Sequence, residues 1–78
     1  MLSLGIDMEK NIQTRFSKHL RELRVGASLT QQRLSELSNI EYKHIQRLED
    51  KNTCDIKLST LEKLAKAFKM TVSKLTDF

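Results

Sequence analysis

Proline is absent from the 78-residue chain, and glycine occurs only twice. These two residues are the strongest punctuators of local structure, so helices meet few obstacles here. Strand-type alternation of apolar and polar residues is also scarce, which leaves an all-α domain as the natural reading. A single cysteine, Cys54, excludes an intrachain disulfide and a Cys-rich zinc site. No apolar run approaches the roughly 20 residues of a membrane span. The opening residues MLSLGIDMEK have no basic start followed by an apolar block, so no secretion signal is read there. These absences point to the cytoplasm and exclude a membrane partner.

What is present is a mixed composition, 38% hydrophobic and 31% charged. That suffices for one domain near the lower size limit of a self-sufficient core. The net charge of +4 suits a polyanionic partner, although charge alone decides little.

Along the chain, residues 1–7 read as a flexible tail and residues 8–78 as the domain. Asp7 is placed to cap a helix starting near Met8. Ile12, Phe16, Leu20 and Leu23 follow at spacings of four, four and three, a helical stripe. The helix is expected to end near Gly26, whose freedom would relax the backbone of the turn Gly26-Ala27-Ser28. Thr30 then caps a second helix with Leu34 and Leu37 facing the core. Asn39 suits the left-handed conformation that a sharp turn requires. Glu41 to Asp50 form a third helix. Residues 50–57, DKNTCDIK, are a polar connection in which Asn52 is the best candidate for positive φ. Ser59-Thr60-Leu61-Glu62 has the form of a capping box and marks a fourth helix, with Leu61, Leu64, Ala65 and Phe68 as its apolar stripe. Thr71 can cap a last short helix carrying Val72, Leu75 and Phe78.

The stretch from Leu29 to Glu49 organises the rest. Two short amphipathic helices are joined by a tight turn. In the second of them Ile45 and Leu48 share one face, which leaves Lys43, Gln46 and Arg47 on the other. Arg and Lys donate to guanine O6 and N7, and Gln pairs with adenine. A short helix with one buried side and these residues outside is what a DNA major groove accepts.

Four runs in order carry a resemblance: L-R-E-L-R at Leu20 to Arg24, L-T-Q at Leu29 to Gln31, I-x-R-L-E at Ile45 to Glu49, and L-x-K-L-A-K-A-F at Leu61 to Phe68. Together they resemble the phage-repressor (Cro/C1, or XRE) helix-turn-helix family over roughly residues 12–78. The resemblance implies a five-helix, lambda-repressor-like DNA-binding domain, with the third helix in the major groove. By position it implies base contacts from Tyr42, Lys43, Gln46 and Arg47. It implies DNA-backbone contacts from Gln31 and from the connection carrying Lys51, Asn52, Thr53 and Lys57, and Thr30 and His44 are further candidates for a phosphate contact beside them. Arg24 and Glu49 match a pair that joins the first and third helices as a structural ion pair. Family members act as dimers on two-fold symmetric operators, which assigns Met70, Val72, Leu75 and Phe78 to a dimer interface. Departures are Glu41 for the usual Ser or Thr cap, Arg33 for a common Glu, Lys69 where Gly or Asn usually ends the fourth helix, and a connection after Glu49 without Gly. The run Ile56-Lys57-Leu58 resembles the corresponding stretch in controller proteins of restriction-modification systems.

Plainer readings stand beside these. Lys43 and Arg47 could form an ordinary solvated face, since Glu41 to Lys51 carries three acids against three bases. Tyr42 could be partly buried core, and His44 could pack at a helix edge. Met70, Val72, Leu75 and Phe78 could close the monomer's own core. His19 reads as solvent-exposed, and two isolated histidines make no metal site. Cys54 reads as an incidental thiol. No nucleophile–base pair, metal cluster or phosphate-binding glycine loop supports an enzyme. No cofactor and no small-molecule effector is expected. An antitoxin-type or other protein-interaction module of the same fold is the rival reading.

Overall fold

A computed structural model of the chain describes the backbone of residues 2–50 and 56–78 and the side chains of residues 12–50 and 56–78. Five helices follow in order: α1 (Leu2–Gly26), α2 (Gln31–Ser38), α3 (Tyr42–Leu48), α4 (Leu58–Ala67) and α5 (Val72–Leu75). There is no strand among the described residues. This is the all-α, five-helix architecture expected from the sequence. Helix α2 packs on α3 and α4, and α4 packs on α5.

The core is the set of apolar positions that the spacings single out. Phe16 and Leu20 of α1, Leu34 of α2, Ile45 and Leu48 of α3, Leu64 and Ala65 of α4 and Leu75 of α5 are buried together, with Ile40 of the α2–α3 turn. At roughly 25 cal/mol per Å² of apolar area, this shared burial is the main force holding five short elements in one arrangement.

Three helix ends close with the same turn. Ser28, Asn39 and Lys69 have φ of 59°, 60° and 58°. The residue after each donates its amide back five positions: Leu29 to Arg24 O at 3.0 Å, Ile40 to Ser35 O at 3.2 Å, Met70 to Ala65 O at 2.9 Å. This six-to-one bond is the Schellman turn, and in each case the residue that follows is apolar and packs inward. The turn satisfies helix-end carbonyls and seats an apolar residue on the core in one step.

Several expectations are corrected. Where the helix was expected to start near Met8, α1 begins at Leu2. Nothing between Leu2 and Asp7 stops a helix, and extending one adds a hydrogen bond per residue without a new nucleus. Asp7 therefore lies inside α1 instead of capping it. The left-handed residue of the first turn is Ser28, not Gly26, because helical geometry continues through Gly26. Leu37 does not face the core and is 46% exposed. Ser38, four residues after Leu34, takes that place and donates its hydroxyl to Leu34 O at 2.7 Å. The capping box at Ser59 is not used as a helix start. Helix α4 begins at Leu58 with Lys57 at its N-cap and no side-chain cap bond, and Thr60 is turned inward and buried. Burial of Thr60 and Leu64 sets the helix phase over the local cap preference. Asn52 lies outside the described residues.

His19 is not a solvated histidine. Its ring stacks on Phe78 with centroids 5.2 Å apart, and its Nε2 is buried without a hydrogen-bond partner. Phe78 also meets Phe16 at 5.9 Å and lies under the Arg15 guanidinium at 5.5 Å. Arg15 Nη2 donates to the Phe78 main-chain oxygen at 3.1 Å. The chain therefore folds back on α1 along the face of residues 15, 16 and 19.

Candidate nucleic-acid interface

Helix α3 is short, and its orientation comes from anchors at both ends. Ahead of it Ile40 is buried, and Ser35 Oγ donates to Ile40 O at 2.6 Å, which ties the turn to α2. The hydroxyl of Thr30 at the start of α2 accepts from the Arg33 amide at 3.0 Å, as an N-cap should. Glu41 precedes α3 without a side-chain cap bond.

At the far end Glu49 is a buried carboxylate, its side chain 2% exposed against 15% for Arg24. Arg24 Nε donates to Glu49 Oε2 at 2.6 Å and Nη2 to Oε1 at 3.1 Å. The remaining Arg24 nitrogen, Nη1, donates to Leu29 O at 2.8 Å. Gln31 Nε2 adds a third bond to Glu49 Oε1 at 3.1 Å, and Arg21 Nε stands 4.0 Å away. One carboxylate thus joins α1, α2 and the C-terminal end of α3. The fork geometry of a guanidinium on a carboxylate fixes direction as well as distance.

With Ile45, Leu48 and Glu49 directed inward, Tyr42, Lys43, Gln46 and Arg47 are all exposed. Lys43, Gln46, Arg47 and Asp50 surround one shallow outward hollow. A polar cleft lies on each side of α3. Toward α4, a cleft of about 460 Å³ is lined by Glu41, His44, Lys57 and Lys63, among others. Toward α1, a cleft of about 540 Å³ is lined by Lys18, Arg21, Gln31 and Gln46, among others.

The four expected base-contact residues therefore share the exposed side of one helix. Thr30 is exposed at the α2 start, while the Gln31 amide group is engaged with Glu49. His44 is exposed, not packed at a helix edge, and shares its cleft with Lys57. Lys51, Asn52, Thr53 and Cys54 lie outside the described residues. Leu75 is a correction: it is fully buried in the monomer's own core and cannot serve a dimer interface. It projects from the inner side of α5, three residues after exposed Val72. Met70 is half-buried and Phe78 is partly exposed.

Sequence reasoning did not single out Lys63, Lys18 or Arg21 as neighbours of α3. Lys63 follows Thr60 by three and Ser59 by four, so helical spacing places them on one face. Nothing in the sequence says which neighbour that face meets.

A short helix seated by buried anchors, preceded by a second helix across a left-handed turn, defines a helix-turn-helix DNA-binding domain. The family model of the Cro/C1-type HTH DNA-binding domain matches residues 19–78, and the chain belongs to that family. Neither the curated proteins nor the solved structures gave a match. The family is one of DNA-binding regulators. Among the described residues no helix is long and apolar enough to cross a membrane.

Proposed function

We propose that the protein is a sequence-specific transcriptional regulator that binds a palindromic operator as a homodimer. The observation that carries this reading is the division of α3: Ile45, Leu48 and Glu49 hold the helix, while Lys43, Gln46 and Arg47 stand outward together. In the major groove Lys43 and Arg47 donate to guanine edges, Gln46 pairs with adenine, and Tyr42 meets a thymine methyl or a phosphate. Thr30 and the α2 amides hold a phosphate on one side of the groove. His44, Lys57 and Lys63 hold the other strand from the α4 side, and the resemblance adds Lys51, Asn52 and Thr53 as backbone contacts.

One helix face of a turn and a half reads few base pairs. Two copies double the site, and two-fold symmetry converts a half-site into a palindrome. Val72, Met70 and Phe78 supply the contact between copies. Control of a restriction-modification operon is the setting favoured by the Ile56-Lys57-Leu58 resemblance.

Selection from random DNA duplexes tests the reading. The expected result is a palindromic motif whose half-sites are centred about one helical turn apart, roughly 34–36 Å. Lys43→Ala/Arg47→Ala is expected to flatten base preference by about 1–3 kcal/mol per lost bidentate contact. A wild-type protein that enriches no motif ends the proposal, and a motif without symmetry ends its dimeric part.

A further inference from the structure

We infer that α1 supplies a second phosphate-binding edge, in which Lys18 and Arg21 hold the DNA strand passing over the cleft between α1 and α3. The inference rests on the reading that α3 enters the major groove.

Thr14, Ser17, Lys18 and Arg21 recur at helical spacing and form one wall of the 540 Å³ cleft. Gln31, Gln46, Glu49 and Asp50 form the opposite wall. The hollow exists because residues 14 and 17 are small. Ser17 is buried and satisfied within α1, its hydroxyl donating to Thr14 O at 3.0 Å. The floor is electrostatically quiet, since both Glu49 oxygens are taken up by Arg24 and Gln31. Asp50 stands on the far rim, where it shares the outward hollow with Lys43 and Arg47. The α1 rim carries the two cations. Arg21 is 64% exposed at its side chain, and Lys18 is exposed as well.

Gln46 belongs at once to this cleft and to the outward face of α3. A helix about 10–12 Å across fills a groove about 12 Å wide, so the phosphates walling the groove run beside the helix. The strand on the Gln46 side therefore passes between α3 and α1, where Lys18 and Arg21 meet it. The opposite strand passes the His44, Lys57 and Lys63 cleft. Lys18 lies one residue ahead of the family match of residues 19–78, within α1. Contacts of this kind strengthen binding to every sequence and leave base choice unaltered.

The test is fluorescence anisotropy on the selected duplex and a scrambled duplex over a salt series. Lys18→Ala and Lys18→Ala/Arg21→Ala are compared with wild type, folding being checked by circular dichroism. Each lost phosphate contact is expected to reduce the steepness of log K against log salt by about 0.9. Both duplexes should weaken by the same factor, and their ratio should stay within about twofold. Neutral methylphosphonates beside the base read by Gln46 should weaken wild type and leave the double variant unaffected. Lys18→Ala alone keeps the test clear of Glu49, which Arg21 approaches. An unchanged slope in the folded double variant overturns the inference, and so does a loss confined to the selected duplex. A wild type that selects no duplex overturns the groove reading beneath it, a result distinct from either.

Discussion

Replacing Arg24 by alanine strips three hydrogen bonds at once. Two go to Glu49, at 2.6 and 3.1 Å, and one to Leu29 O, at 2.8 Å. The carboxylate left behind is 2% exposed, so water cannot solvate it in place. Breaking a buried pair from one side costs about 3–5 kcal/mol, because the surviving charge is uncompensated. The lower end applies here. Gln31 still donates to Oε1 at 3.1 Å, and Arg21, starting 4.0 Å away, can swing closer. In a domain of this size each kcal/mol moves the melting midpoint by roughly 4–8 °C, so a loss near 3 kcal/mol lowers it by about 12–24 °C. The assay is thermal and denaturant unfolding followed by circular dichroism, with Arg21→Ala as the control. The control removes an exposed, longer pairing and should cost less than about 1 kcal/mol. Joint replacement, Arg24→Met/Glu49→Leu, removes the stranded charge and should recover much of the loss. If Arg24→Ala costs no more than Arg21→Ala, Glu49 does not act as the knot between α1, α2 and α3.

Three further expectations concern backbone and core. Gly26→Ala should stabilise by about 0.5–1 kcal/mol, since Gly26 is helical and an added Cβ meets nothing within 4 Å. Lys69→Gly should stabilise by about 1 kcal/mol, since φ there is 58°; denaturant midpoints check both, and destabilisation in either case contradicts the assigned turn. Leu75→Ala should cost about 2–5 kcal/mol, whereas Leu37→Ala should cost far less, because only Leu75 sits in the core. Equal losses would mean that the burial pattern is misassigned.

Most of the fold could be read from spacing because the core residues recur with the helical period. Phe16 with Leu20, Ile45 with Leu48, and Leu61 with Leu64 and Ala65 each mark an inward stripe that needs no partner to be recognised. Asn39 was readable because a short polar side chain tolerates αL. What escaped was set by tertiary packing. Leu37 has the right type for the core but the wrong angle around α2, and Ser38 fills its place by bonding its own helix. The cap at Ser59 gave way to the burial of Thr60. His19 met Phe78 across the chain, a contact with no local signature. In the site, the exposed face of α3 was legible from its own periodicity. The clefts beside it were not, since they depend on which faces of α1 and α4 turn toward α3.

The residues of α3 and its C-cap that are seated in the scaffold, Ile45, Leu48 and Glu49, and those that face outward, Tyr42, Lys43, Gln46 and Arg47, have no member in common. Exposed positions away from caps and cores tolerate change within about 0.5 kcal/mol. On the proposed reading, in which these four residues meet DNA, recognition can be rewritten four letters at a time on an unaltered frame. A lineage carrying this domain can drift to a new operator without passing through an unfolded intermediate, and a protein engineer can graft another recognition face onto it by the same route.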